Sequence, residues 1–414
     1  MIATSTKRTT CRLCDATTLE RVVHLDPIPP ADQYVSQDQL GQRQELFPLD
    51  LSYCLSCCHL QLLDVVNPNI LFRDYLYTTS TSPGLVEHFR RYADSIAARF
   101  PYPEGSLVVE LGSNEGVLLR FFKDKGFSVL GVDPARQIAN RATQSGVETL
   151  PEFFTLDLAT EIRRQRGPAA IVSANNVFAH SDDLIGMAKG VRALLLPESI
   201  FVFEVSYMAD MIDKMLFDVI YHEHLSYHSL GPLLGFMERH DMQIFDAERI
   251  PTKAGSLRCL AQARSGQRTP TAAIQEILRF EQHLGLDRKG TYREFEAKVN
   301  AVRKQMRELV GRLKTEGKTI AAYGAAPNAT TLIYNFGLDD SLDFIVDDNP
   351  RKQGRFSPGC HLPIYSPKML IERRPDFTVL LAWTYAEKIV AANQPYLSQG
   401  GRFIIPLPEV KVVP

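Results

Sequence analysis

Leu107-Val-Val-Glu110-Leu111-Gly112-Ser-Asn-Glu-Gly116 decides the fold of this chain. Its first five residues form a short apolar run of strand type, broken only by Glu110, and the residues from 117 to about 125 read as a helix. A strand that ends in a glycine turn and opens a helix lets a ligand approach the backbone without interference from Cβ atoms. Phe127-Ser-Val-Leu-Gly-Val132 reads as the second strand, ended by Asp133. That acid lies about 20 residues beyond the turn, where a doubly wound domain holds ribose hydroxyls. The turn is GxxxG instead of GxGxxG, and Glu110 closes the first strand. A carboxylate there would repel a pyrophosphate but pair with a cationic amino-acid group, so the pattern favours an adenosyl nucleoside over a dinucleotide.

The alternation continues outward. Residues 169–173 and 199–205 read as further strands, the first leading into Asn175-Asn-Val-Phe-Ala-His180, and both end in polar residues, as expected where strand ends line the crevice of an open sheet. Before the turn, a loop from 76 leads into a helix carrying Leu85, Phe89, Tyr92, Ile96 and Phe100 at helical spacing. After it, residues 263–315 read as a helical connector, with Ile274, Ile277, Leu278, Phe295, Val299 and Val302 on its apolar face. A second α/β unit then has strands at 319–323, 342–347, 376–382 and 402–405, a turn at 324–330 and a helix at 331–336.

The chain has 414 residues, 45% hydrophobic and 23% charged, with a formal net charge of −2. That length suffices for two or three domains with separate cores, and the charge lacks the basic excess of a nucleic-acid or anionic-membrane surface. No segment reaches the roughly 18 apolar residues of a membrane span, and the first residues lack the apolar core of a secretory signal, so the expected location is the cytoplasm. Five of the seven cysteines lie in the first 58 residues. Cys11-Arg-Leu-Cys14 and Cys54-Leu-Ser-Cys57 are paired CxxC knuckles able to supply four thiolates to a structural zinc. Cys58 competes with Cys57 for the fourth place, and the CxxC spacing favours Cys57. The expected domains are a zinc-binding domain at 1–70, an adenosyl-nucleoside-binding domain at 71–262, and a connector with a C-terminal Rossmann-like domain at 263–414.

Phe217-Asp-Val-Ile-Tyr-His-Glu-His-Leu-Ser-Tyr-His-Ser229 concentrates three of the chain's ten histidines with Tyr221, Glu223 and Tyr227. His and Glu are costly to bury without partners, so packing alone would not select this composition. One reading is acid–base catalysis by a neutral imidazole. A second places His224 and His228 on a helix as ligands of a hydrolytic metal, although Leu225 stands where the His-Glu-x-x-His arrangement needs a glutamate. A third is a buried hydrogen-bonded layer, and a fourth an NAD-dependent oxidoreductase, which the missing GxGxxG disfavours. His180, following a strand, reads either as a hydrogen-bonded helix-start residue or as a functional group.

Taken together, the CxxC knuckles, Val109-Glu-Leu-Gly-Ser-Asn-Glu-Gly116, Asn176-Val-Phe-Ala-His180, the Tyr-His-Glu-His stretch and Val346-Asp-Asp-Asn-Pro-Arg-Lys-Gln-Gly354 resemble the sugar-nucleotide C-methyltransferases of branched deoxysugar biosynthesis. The resemblance runs over nearly the whole chain in the same order. It implies a zinc-containing α/β protein with a central class I methyltransferase Rossmann-like domain and a C-terminal Rossmann-like α/β domain. It also implies S-adenosylmethionine as methyl donor, zinc as a structural ion, and a nucleotide-linked 4-keto-6-deoxyhexose as acceptor, with C3 favoured over C5. On this reading His224 is the base, Glu223 orients it or contacts the sugar, and Tyr221 and His180 donate toward the developing oxyanion. Glu110, Gly112, Asn114, Gly116, Asp133, Asn175 and Asn176 face the donor. Tyr75, Tyr77, Asn176, Tyr207, Tyr323 and Lys352 face the substrate. The chain departs from the family at Asn328-Ala-Thr-Thr331, where a Lys-Gly-Asn-Thr sequence is usual, so a thymidine nucleotide is not assumed. No nucleic-acid or membrane partner is expected, and the chain is expected to be a monomer or weak dimer.

Overall fold

The computed structural model describes residues 3–414 apart from 74 and 76, and sets the strand Leu107–Leu111 in the middle of the five parallel strands of a seven-stranded sheet. Leu107–Leu111 runs parallel to Ser128–Val132 on one side and to Ala169–Asn175 on the other. Thr149–Leu150 and Leu195–Ser206 extend the parallel set outward on the two sides. Alternation along the strands splits the core in two. Val108, Ile171 and Val202 pack with Tyr92, Leu118 and Phe122 of the helices Pro83–Arg99 and Val117–Lys123. Leu107, Val109, Val172 and Phe203 pack on the opposite face with Ile162, Met187, Val191 and Phe236. Strands buried on both faces read as continuous apolar runs, which is why these were legible.

Two antiparallel strands, Met242–Ile250 and Ser256–Ala263, complete this sheet, with the second lying between the first and Leu195–Ser206. Neither was expected, because Asp246, Glu248, Arg249 and Arg258 interrupt the apolar pattern. All four charges are held by partners: Arg258 pairs with Glu204 at 2.6 Å and with Glu248 at 3.2 Å, Arg249 with Asp210 at 3.0 Å, and Asp246 with Arg99 at 2.5 Å.

The N-terminal unit is a four-stranded antiparallel sheet in the order Ser226–Tyr227, Leu60–Leu62, Phe47–Cys54, Leu19–Ile28. Its edge strand comes from the histidine-rich stretch, with Ser226 opposite Gln61 and Tyr227 opposite Leu60. The stretch is therefore not a helix: it begins as the single 3-10 turn Phe217–Val219, bends, and ends as a strand of a different unit.

The expected connector is two helices, Ala272–Leu284 and Lys289–Thr315. Val299, Val302 and Met306 of the second join one core with Val23 and Leu25 of the N-terminal sheet. The C-terminal sheet has five parallel strands in the order Ile364–Tyr365, Ile345–Val346, Ile320–Tyr323, Phe377–Leu380, Arg402–Ile405, and an antiparallel edge, Lys411–Val413. The strand expected at 342–347 contracts to Ile345–Val346, and the helix expected from 331 starts at Pro327. Proline at a first helical position costs no hydrogen bond, so Asn328, Ala329 and Thr330 belong to the helix instead of a turn.

At the decisive turn, Gly112 has φ 65° and Gly116 φ 68°. A Cβ on Gly112 would fall 2.1 Å from Cγ2 of Val177, and one on Gly116 2.7 Å from Cγ1 of Val147. Gly112→Ala combines a left-handed alanine with a steric clash and is expected to lower stability by about 1–3 kcal/mol. Urea denaturation checks this, and a midpoint equal to that of the parent chain would refute it.

Candidate active site

The two knuckles are built alike. Asp15 N–H donates to the Cys11 carbonyl and Cys58 N–H to the Cys54 carbonyl, each at 2.9 Å, and both donors have left-handed backbone, φ 56° and 65°. Cys58 thus occupies the position of Asp15, the residue that closes the turn, and its thiol points elsewhere, 3.8 Å from the Asp287 carbonyl. The Sγ atoms of Cys11, Cys14, Cys54 and Cys57 all lie within 4.8 Å of one another, with Cys11 to Cys57 and Cys14 to Cys54 at 3.6 Å. Four thiolates around a tetrahedral zinc at about 2.3 Å would stand about 3.8 Å apart, so these residues fit the ion. All four places are filled by protein, which leaves the ion no open position for chemistry.

A cavity of about 420 Å³ opens at the C-terminal ends of the central parallel strands. Glu110, Gly112, Asn114, Asp133, Asn175 and Asn176 all line it, whereas Gly116 only shapes the turn. Asp133 accepts from the Asn114 N–H at 2.8 Å and the Ala135 N–H at 2.9 Å, tying the glycine turn to the next helix. Oε2 of Glu110, Oγ of Ser113 and both amide atoms of Asn175 are buried beside this space without a protein partner. Unmet polar atoms are costly unless a ligand satisfies them, so the residues fit a polar nucleoside with an amino-acid portion. Burial holds the Glu110 carboxyl well above its usual range, and a cationic ligand would restore its charge. Phe72, Tyr75, Tyr77 and Thr79, from the segment after the N-terminal sheet, cover the cavity.

His180 lines the same cavity, stacked on Phe72 at 5.7 Å, and its ring lies 5.2 Å from that of His224. Nδ1 of His224 is 2.7 Å from the Val219 carbonyl, which can only accept, so Nδ1 carries the proton and Nε2 a lone pair. Tyr221 donates its hydroxyl to that lone pair at 3.2 Å. Burial and the Lys253 ammonium push His224 down to about 4, so it is neutral at pH 7. Glu223 accepts a hydrogen bond from Tyr75 at 3.1 Å, and burial, with Asp32 nearby, pushes its carboxyl up to about 8. It is thus a protonated acid at pH 7.

The other histidines of the stretch serve packing. His222 donates to or accepts nothing from the cavity: its Nε2 faces the Pro48 carbonyl at 3.1 Å and its ring packs on Phe47. His228 is fully buried, stacked on His59 at 5.4 Å and beside Phe178. His224 and His228 therefore do not share a metal site, which removes the hydrolase reading; among the described residues only the four-cysteine group is arranged to hold a metal.

Of the residues expected at the substrate, Tyr75 and Tyr77 line the cavity with Asn176. Tyr207 is a correction: it is buried, and its hydroxyl donates to Glu281 at 3.0 Å, closing a core contact behind the sheet. Tyr323 donates to Asp348 at 2.9 Å and Lys352 to the Ala325 carbonyl at 2.6 Å, both outside the cavity lining. Asn328 donates to Asp218 at 2.7 Å, as does Trp383 at 2.8 Å, so the residue that departs from the family pattern is engaged with the histidine-rich stretch.

Sequence reasoning missed Lys253 and Asp32. Lys253 lines the cavity within a turn where both it and Ala254 are left-handed, φ 51° and 67°. Its side chain keeps accessible surface, yet protein surrounds it, because that surface faces the cavity. Burial lowers the pKa of its ammonium, against the pull of Glu223 and Glu204. Asp32 is raised to about 6 by burial, against Lys352 and Arg355. Neither residue lies in a recognisable local pattern; the one sequence signal at Lys253 was a charged turn, Lys-Ala-Gly, between two strands.

Three family models cover the chain: a zinc binding domain over residues 11–72, a methyltransferase domain over 86–246 and a C-methyltransferase C-terminal domain over 251–408. The chain is 37% identical to the C-methyltransferase NovU of Streptomyces niveus over 404 residues, 97% of this chain and 96% of that one. Among solved structures, it is similar to the magnesium protoporphyrin IX methyltransferase ChlM of Synechocystis PCC 6803, at 15% identity and a TM-score of 0.33, over 46% of this chain and 86% of that one. The CcbJ methyltransferase of Streptomyces caelestis matches at 14% identity and a TM-score of 0.35, over 46% of this chain and 94% of that one. At such TM-scores the structural likenesses carry no weight for function. Among the described residues, no helix is long and apolar enough to cross a membrane.

Two outcomes are expected. Stripping zinc with a chelator should lower the melting temperature and raise amide exchange at Leu60–Leu62 and Ser226–Tyr227 while Leu107–Leu111 stays protected; unchanged exchange at 226–227 would contradict this. For Glu223, a folded-state pKa near 8 against an unfolded value of 4.5 means that between these limits the unfolded chain ionises first. Its contribution to stability is therefore full below about pH 4.5 and falls as pH rises toward 8. Glu223→Gln should gain stability relative to the parent across that window, and a constant difference in melting temperature from pH 5 to 8 would refute the assignment.

Proposed function

Because the chain belongs to the C-methyltransferase family, we propose that it methylates a carbon beside the C4 ketone of a nucleotide-linked 4-keto-6-deoxyhexose. S-adenosylmethionine, held by Glu110, Asn114, Asp133, Asn175 and Asn176, supplies a methyl group bound to a sulfonium. A neutral C–H is no nucleophile toward that methyl, so the chain must first remove a proton next to the ketone and stabilise the enolate. The observation that carries this reading is the fixed tautomer of His224, with its lone pair on Nε2 and its ring beside His180 at the wall of the donor cavity.

In this scheme Nε2 of His224 takes the proton. The Tyr221 hydroxyl, now bound to that lone pair, turns to the enolate oxygen as the lone pair is consumed, and Lys253 adds a positive charge to the same space. Protonated Glu223, fixed by Tyr75, donates to a sugar oxygen. C3 is the favoured position over C5, on family resemblance.

Incubation with a 4-ketosugar nucleotide in deuterated water without methyl donor tests the scheme. Deuterium should enter beside the ketone, and His224→Asn should lose both that exchange and methylation, by roughly 100-fold or more. Exchange at the parent rate in His224→Asn would exclude His224 as base. Product analysis by NMR after adding S-adenosylmethionine decides between C3 and C5.

A further inference from the structure

Beside the donor cavity lies a second one, of about 460 Å³, whose lining includes Arg73, Arg141, Arg351 and Arg355 together with Tyr75 and Ala135. We propose that this is an anion site for the diphosphate of the substrate, which rests on the reading above that the acceptor is nucleotide-linked. The four arginines arrive from three separate parts of the fold. Arg73 follows the helix Pro68–Phe72, Arg141 lies on Arg136–Gln144 of the central unit, and Arg351 and Arg355 lie in the loop after Ile345–Val346. Gathering like charges from distant segments is unfavourable unless an anion is to be bound there.

Neighbouring acids do not neutralise the group. Arg73 has Glu152 at 4.0 Å, and Asp32 interacts with Arg355. Among the described residues, four cations thus meet two acids. Among the described residues Arg141 and Arg355 make no side-chain hydrogen bond or ion pair. By contrast, Arg73 is already aimed: it donates to the Pro134 and Pro151 carbonyls at 3.2 and 3.1 Å and lies over Phe153 at 4.7 Å. Arg351 is steadied by the Thr78 hydroxyl at 2.8 Å.

The methyl donor is not this anion, since its sulfonium is positive and its own polar atoms are met in the first cavity. Tyr75 and Ala135 line both cavities, and the Tyr75 hydroxyl touches Glu223. A ligand with its diphosphate among the arginines would therefore extend its attached group past Tyr75 toward His224. Planar guanidinium forks suit the oxygens of a diphosphate.

Calorimetry with S-adenosylhomocysteine held saturating tests the site, using the diphosphates of uridine, thymidine, cytidine and guanosine, the matching nucleosides, and inorganic pyrophosphate. At least one nucleoside diphosphate should bind about tenfold or more tighter than its nucleoside, with an affinity that falls as salt rises. Arg141→Gln with Arg355→Gln should weaken that binding by about tenfold or more and leave S-adenosylhomocysteine affinity unchanged. Arg351→Gln alone, at an exposed position, gives the same readout should the double variant fold poorly. Equal binding of nucleoside and diphosphate, binding of pyrophosphate without any nucleotide, or parent-like affinity in the variants would each overturn the proposal. Failure of the function reading looks different: diphosphates bind as described, yet no 4-ketosugar nucleotide is methylated.

Discussion

The guanidinium of Arg12 is the contact on which the site depends. It lies in sequence between the zinc ligands Cys11 and Cys14, wholly out of solvent, and its donors reach three other elements at once. Nη1 donates to the Leu62 carbonyl, to Gln61 at 3.2 Å and to the Leu225 carbonyl at 3.3 Å, and Nε donates to Asp182 at 3.0 Å. A buried cation is tolerable only when its hydrogen-bond partners are in place, so the knuckle, the strand Leu60–Leu62, the histidine-rich stretch and the loop after His180 must assemble together. A metal site with no chemistry of its own thereby sets the position of the residues proposed for catalysis. Ser226 strengthens the same link, through its strand pairing and through His59 at 3.2 Å.

Within the stretch, the backbone sorts the side chains. Tyr221 and His224 are bonded to each other, and His224 also to the Val219 carbonyl, in a tight turn that leaves both some accessible surface. His222 and His228 go into packing against Phe47, His59 and Phe178. One cluster in sequence is thus two populations in space, one at the cavity wall and one packed in the interior. The low local dielectric also separates the ionisation of Glu223 from that of His224. It makes the carboxyl an acid and the imidazole a bare lone pair at the same pH, which is a usable division of labour for enolisation.

Much of this was legible in the sequence where the physics is local. The glycine turn, the parallel strands around it and the four cysteines are set by backbone sterics, two-sided burial and ligand spacing. The antiparallel pair at 242–263 was not, because its charges are neutralised by partners such as Glu204, far away in sequence. Tyr207, which the resemblance set at the substrate, is likewise placed by a distant contact: Glu281, from the helix Ala272–Leu284, claims its hydroxyl. Lys253, Asp32 and the arginine group could not be found at all by pattern, since each is defined by convergence of segments and not by spacing.

The pairing of Ser226–Tyr227 with Leu60–Leu62 also has a consequence for biogenesis. During synthesis the N-terminal sheet leaves the ribosome long before its fourth strand exists, and must wait with one edge uncovered. That edge is only three residues long, too short to template association with another nascent chain. Completing this sheet is therefore a non-local strand addition, and a chain truncated before residue 226 would lack both this strand and the antiparallel pair Met242–Ile250 and Ser256–Ala263 that finishes the central sheet.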